Sequence, residues 1–315
     1  MSARGLHAFA VFMVLATLFL VFAGAMVTST GSGLAVPDWP LSYGMLMPPM
    51  VGGIFSEHGH RMVAGTVATL TLFLAVALAI LEPRRWVRRM GFAAVGLVTL
   101  QAVLGGLTVL HFLPPALSVS HACVAQAFLC VIVTLAVVTS RAWKDATPLS
   151  GTAALSPRPF AILTGAIYTQ LIVGATMRHL GAGLAIPDFP LSMGRLVPPF
   201  EALRTAPVAI HFLHRLGAAV VAALATPCLL SVARRSRERH ELRIPGVALG
   251  LAIPVQIALG ALTIWSAKAP KPTSLHVCNG ALVLASSMAL TLLVARRAPR
   301  AASVRAPGAL APVTA

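Results

Sequence analysis

Eight long apolar stretches decide what this chain can fold into. They run over approximately residues 7–28, 58–81, 91–111, 119–140, 160–178, 208–231, 245–266 and 275–295. A helix needs ~20 apolar residues to cross a hydrocarbon layer, so each stretch is long enough to span one. Of the 315 residues, 57% are hydrophobic and only 10% charged, and the mean hydropathy is +0.86. Water-soluble domains carry about 25% charged residues. Backbone exposed to lipid must satisfy its own hydrogen bonds, which leaves helices or closed barrels. Continuous apolar runs of this length predict an all-α polytopic membrane protein with eight transmembrane helices. The first run, Phe9 to Val27, follows a single basic residue, Arg4, and reads as a first membrane helix, not a removed signal.

The net charge of +16 would suit a nucleic-acid binder, but its placement argues otherwise. Of the 24 Lys and Arg, 17 fall at Arg4, 84–89, 141–158, 234–243 and 296–305, all on one side of an eight-span topology. Loops facing the cytoplasm collect such residues. Both termini are therefore expected on the cytoplasmic side of a plasma membrane, with the lipid bilayer as partner and no nucleic acid. The four cysteines lie inside apolar runs, with no CxxC and no CxxCH for covalent haem attachment, so no disulfide is expected. The 141–159 segment is the longest cytoplasmic link. It divides the chain into an N-terminal four-helix bundle (1–145), a linker (146–159), a C-terminal bundle (160–297) and a tail (298–315) rich in Ala, Pro and Arg.

The halves repeat each other. GLAVPDWPLSYGMLMPP, Gly33 to Pro49, matches GLAIPDFPLSMGRLVPP, Gly183 to Pro199, at a constant offset of 150. QAVLGGLTVL from Gln101 matches QIALGALTIW from Gln256 at an offset of 155. Four helices per copy give both copies the same orientation, a parallel repeat with a pseudo-twofold axis along the membrane normal. The two proline-rich loops read as braces or lids over the ends of the helices, with Asp38 and Asp188 closing turns.

Four of the ten histidines obey the repeat. His60 pairs with His214 at offset 154, and His121 with His276 at 155. All four enter their helices from the external side, so the two in each half share a depth on different helices. That is the requirement for two axial imidazoles on one iron, and bundles build such sites from facing side chains. Zinc, with Glu57 joining His60 and His121, is the other metal reading. The halves then differ: Glu57 precedes His60 by three residues, whereas His211 stands before His214. Glu57 either accepts a proton during chemistry beside the metal site or pairs with Arg61 one turn on. Arg61 and Arg215 each follow a key histidine and either contact haem propionates or snorkel to the interface. Cys123 and Cys278 sit two residues past a histidine, on another face, and read as packing.

The chain resembles the haem A synthase family over about residues 8–295. The resemblance is carried by TGSGLAVPDWPLSYG (30–44), EHGHR (57–61), SHAC (120–123), GAGLAIPDFPLS (181–192), LHR (213–215) and LHVC (275–278). It implies a resident haem b in the C-terminal half with His214 and His276 as axial ligands. It also implies a substrate, haem O, in the N-terminal half between His60 and His121, with Glu57 as the functional carboxylate. The implied reaction oxidises the C8 methyl of haem O to a formyl group through a hydroxymethyl intermediate, giving haem A for terminal oxidases. Implied partners are a haem O synthase, an electron-transfer protein and further copies of the chain. Many family members carry two cysteines in the first external loop; here those places hold Val36 and Ser42. The alternative reading is a diheme b-type electron carrier without haem chemistry. A transporter fits less well, since midplane charges and unwound-helix signals are lacking.

Overall fold

The computed structural model describes residues 2–149, 154–235 and 238–298. Eight helices are long and apolar enough to cross a membrane. We label them α1 (Ala3–Ser29), α2 (Gly52–Leu81), α3 (Arg85–Leu110), α4 (Pro115–Thr139), α5 (Arg158–His179), α6 (Ala206–Arg235), α7 (Arg243–Trp265) and α8 (Pro270–Arg296). Among the described residues the only β pairing is two isolated bridges, Ser42–Met45 and Ser192–Arg195, one in each external loop. The protein is an all-α, multi-pass membrane protein, as its hydropathy predicts. The expected tail lies outside the described residues apart from Ala298, as do Arg237, Arg300 and Arg305.

The ends of the helices follow from local chemistry. Pro115 and Pro270 open α4 and α8 at the first helical position, where a missing N–H costs nothing. Ser2 caps α1, accepting the Gly5 N–H at 3.2 Å. After α1 and α5 the chain turns through Gly31 (φ 67°) and Gly181 (φ 71°), a left-handed conformation that glycine adopts without a Cβ penalty. Hydroxyls inside the spans return their protons to the helix: Thr17 bonds to the Met13 carbonyl and Thr71 to that of Val67, each at 2.7 Å.

Hydropathy underestimates where several helices begin. The α2 helix starts at Gly52, not 58, and α8 at Pro270, not 275. The extra turns, GGIFSE and PKPTS, are mostly Gly, Ser, Thr, Pro, Glu and Lys, which an apolar window excludes. His60 and His214 each stand eight residues past the start of their helix, and His121 and His276 six. They lie about 12 Å and about 9 Å into the helices at 1.5 Å per residue. They are not frayed helix ends.

Each half has its own core. Leu6, Met13, Leu74, Leu78, Ile132 and Leu135 fill the first. Leu163, Ile167, Leu249, Leu284 and Leu290 are among those that fill the second. A third cluster, Leu129, Val133, Ala281 and Ala285, joins α4 to α8 across the middle. The neighbours are the same when the halves are exchanged: α1 packs on α8 as α5 packs on α4, and α4 meets α8. Correspondingly, α4 and α8 are 56% buried over their spans, against 17–28% for the other six. These two helices form the centre, and the outer six present Phe12, Phe73, Phe92, Ile244 and Leu251 outward to lipid.

Candidate functional site

All four repeated histidines turn inward, and each rests on a glycine of a neighbouring helix. A Cβ on Gly24 of α1 would come within 2.9 Å of His60 Cε1, and one on Gly174 of α5 within 2.9 Å of His214 Cε1. Gly105 of α3 lies under His121 and Gly260 of α7 under His276, with corresponding distances of 3.3 and 3.2 Å. Removing the side chain lets an imidazole lie flat against the next helix. Sequence reasoning about the histidines missed these glycines, although they carry the same offsets of 150 and 155. Gly174→Ala is expected to push the His214 ring aside. Overpacking of this kind costs about 1–3 kcal/mol, so a group held by His214 should bind roughly 5- to 100-fold more weakly. A haem titration of purified protein, with Gly165→Ala in open space as the control, measures this.

In the second half the His214 and His276 rings lie with centroids 6.3 Å apart and planes at 72°. One metal between two imidazole nitrogens at ~2 Å each separates the ring centroids by about 6 Å. The spacing therefore fits a single iron with axial ligands from α6 and α8. His276 Nδ1 donates to the Gln256 carbonyl (3.1 Å), which leaves Nε2 as the lone-pair nitrogen. The Gln256 amide reaches that nitrogen at 3.3 Å and is itself fixed by Asn279, whose amide donates to Gln256 Oε1 at 2.7 Å. The Gln170 amide N–H donates to the His214 carbonyl (2.6 Å) and stands 3.0 Å from His214 Nδ1. Gly217 leaves the space that this amide fills. His276 is thus held through Nδ1 by a partner beyond the metal position, the arrangement that fixes orientation in metal sites. The Gln256 amide lies at the ligating nitrogen itself and would yield it to a metal, and the Gln170 amide fixes His214 from its Nδ1 side.

The first half has the same histidines with less of that support. His60 is close enough to His121 for their charges to interact. Nδ1 of His60 is buried without a hydrogen-bond partner, and that of His121 faces the Gln101 backbone, as His276 faces Gln256, but too loosely for a well-formed bond. Leu20 occupies the position of Gln170, Val63 that of Gly217 and Val124 that of Asn279. The carboxamide oxygens of Gln101 and Gln126 are also buried and unpartnered. Buried polar atoms without partners are uncommon in proteins, and this pair of imidazoles with free nitrogens also suits an iron. Among the described residues no three His, Cys, Asp or Glu converge as a zinc cluster. Glu57 in particular is turned away from such a role.

Glu57 is buried and doubly engaged. Its Oε2 accepts the Val36 N–H at 2.8 Å, and its Oε1 pairs with Arg61 Nη2 at 2.7 Å. Arg61 also donates to the carbonyls of Val36, Asp38 and Leu41. Together they clamp the first proline-rich loop onto α2. In the second half His211 Nδ1 accepts the Ile186 N–H at 3.2 Å. Arg215 donates to the carbonyls of Ile186, Asp188 and Leu191 and to Ser192 Oγ. Glu57 and His211 are therefore the same loop anchor built from different chemistry. The η hydrogens of Arg61 and Arg215 are all used by the loops and by Glu57, whereas Arg215 Nε is buried without a partner among the described residues.

Asp38 accepts the N–H groups of Tyr43 and Gly44, and Asp188 those of Met193 and Gly194, at 2.7–2.8 Å. These turns match the expectation from sequence. The Gly44 and Tyr43 amides hold the Asp38 carboxyl below its usual range. Val36 and Ser42, where many family members carry cysteines, are two of the points at which the first loop is tied to α2. Val36 bonds to Glu57, and Ser42 Oγ stands 2.7 Å from His58 Nδ1. Loop closure here rests on hydrogen bonds. Cys123, Cys130, Cys228 and Cys278 are free thiols within helices.

The protein is an eight-span helical membrane bundle carrying one inward histidine pair per half. Residues 53–288 match the family model COX15-CtaA, described as cytochrome oxidase assembly protein. The chain is 35% identical over 255 residues to the heme A synthase of Symbiobacterium thermophilum, covering 78% of this chain and 81% of that protein. It is 25% identical over 305 residues to the heme A synthase of Alkalihalophilus pseudofirmus, covering 93% and 98%. It is 27% identical over 333 aligned positions to that of Geobacillus kaustophilus, covering 99% of each. The chain belongs to the COX15-CtaA family.

Proposed function

We propose that the protein is a haem A synthase, an oxidoreductase that converts the C8 methyl of haem O to a formyl group through a hydroxymethyl intermediate. The single observation that carries this reading is the inequality of the two histidine pairs. The braced pair, His214 and His276, suits a haem that stays, here haem b. The more weakly braced pair, His60 and His121, suits a haem that enters and leaves, here haem O. A diheme electron carrier would have no use for that difference.

A haem held by His214 and His276 would supply one-electron exchange, by which the four electrons lost as the methyl becomes a formyl group could reach an external acceptor. The protein's own groups do the rest. His60 and His121 orient the substrate from opposite faces, and Gly24 and Gly105 set how far each ring reaches. The loop anchored by Glu57 covers the external end and excludes water. Glu57, a buried carboxylate one turn from His60, is the group to accept a proton as the methyl carbon is oxidised, with Arg61 stabilising its anion. We further propose a plasma-membrane location with both termini cytoplasmic and the haem sites toward the external side. Haem O synthase is then the supplier of substrate.

Expression in a host that makes haem O but not haem A tests the reading. Chromatography of extracted haems should show haem A or its hydroxymethyl precursor. A folded, haem-loaded protein that yields neither would contradict it.

A further inference from the structure

Arg178 is a cation without an anion. It lies half-buried at the external end of α5, and no carboxylate pairs with it among the described residues. Of the external acidic groups, Glu57 is committed to Arg61 and Asp38 and Asp188 to their loop amides, and Glu201, exposed in the second external segment, makes no ion pair with Arg178. Arg178 Nη2 donates to the Ala25 carbonyl and to Ser29 Oγ of α1, both at 2.8 Å, and Ser29 is joined to Ser274 of α8 at 3.0 Å. These bonds hold one edge of the guanidinium at the seam between the halves. Nε and Nη1 have no protein acceptor among the described residues. A charge in an apolar surround is costly unless an anion meets it.

The position says which anion. Gly174, on which the His214 ring rests, is four residues before Arg178, so both share a face of α5. Arg178 stands one turn, about 5.4 Å, nearer the external side than that ring. Its charge also acts on His276. The equivalent residue of the first half is Thr28, which bonds to its own helix. We propose that the free edge of Arg178 binds a propionate carboxylate of the haem held by His214 and His276, and so anchors that haem to the seam between the halves. This rests on the reading of the second pair as a haem site. A guanidinium offers the planar fork that a carboxylate accepts.

The test uses the full chain in detergent, freed of haem and reloaded with either haem b or its dimethyl ester, in which both propionates are blocked. Wild type should lose the ester about tenfold faster than haem b, the effect of one charge-assisted hydrogen bond. Arg178→Gln should lose haem b about as fast as wild type loses the ester, should not distinguish the two, and should have a more negative haem reduction potential. Arg178→Lys should recover part of the difference. Equal retention of both haems by wild type overturns the proposal even if Arg178→Gln fails to fold. So does equal weakening of both by Arg178→Gln, which would give the residue to the helix seam or to a lipid phosphate. In either case the function stands if His214→Ala still loses its haem; retention of haem b by His214→Ala overturns the haem-site reading itself.

Discussion

Purified His214→Ala and His276→Ala should each emerge without resident haem b, while His60→Ala should keep it. The 6.3 Å ring separation leaves room for one iron between His214 and His276, and neither ring has a substitute. No other described His, Cys, Asp or Glu converges on the pair. Losing an outer partner of a metal ligand costs about 10- to 100-fold in affinity; losing the ligand should cost well beyond that. Gln170→Leu, which copies Leu20 of the first half, should fall within that smaller range. Absorbance of the haem band per protein measures all four variants. Full haem retention in His214→Ala would mean that the second pair is not the resident site.

The second large effect concerns Glu57. Glu57→His installs the residue that does the same mechanical task in the second half, where His211 accepts the loop N–H and Arg215 is held by loop carbonyls and Ser192 Oγ with no carboxylate. The loop should stay closed and the resident haem bound. Turnover of haem O should nonetheless fall by about 10²- to 10⁴-fold, the usual contribution of a positioned proton acceptor. Glu57→Ala should be worse in a different way. It leaves the Val36 N–H unpaired and strips Arg61 of its carboxylate, and breaking a buried pair costs about 3–5 kcal/mol. Proteolysis of the 33–49 loop should accelerate in Glu57→Ala and not in Glu57→His. Wild-type turnover by Glu57→His would reduce Glu57 to a loop anchor.

Much of this was legible in the sequence because membrane helices write their length and the duplication wrote everything twice. The eight spans, the matched loops and the four histidines each follow from that. The helix starts did not, because the first turns of α2 and α8 are mostly Gly, Ser, Thr, Pro, Glu and Lys, which read as loop. The partner of Glu57 was visible as Arg61 four residues on, but its second partner, the Val36 amide, is brought in only by the folded loop. The loop bonds of Arg61 and Arg215 were hidden for the same reason: loop carbonyls have no side-chain signature. The bracing of the second site was present as Gln170 against Leu20 and Asn279 against Val124. It acquires meaning only once α5 lies beside α6 and α8 beside α7. Comparing the halves for what differs, as well as for what repeats, is the signal that would have found it.

The central claim is that one pair of histidines keeps a haem and the other processes one. Mass spectrometry of the haem retained by His60→Ala, purified from a host that makes haem O, tests it most directly. The account predicts haem b alone, with no haem O, hydroxymethyl form or haem A bound. Haem O or haem A still present, with haem b missing, would contradict it.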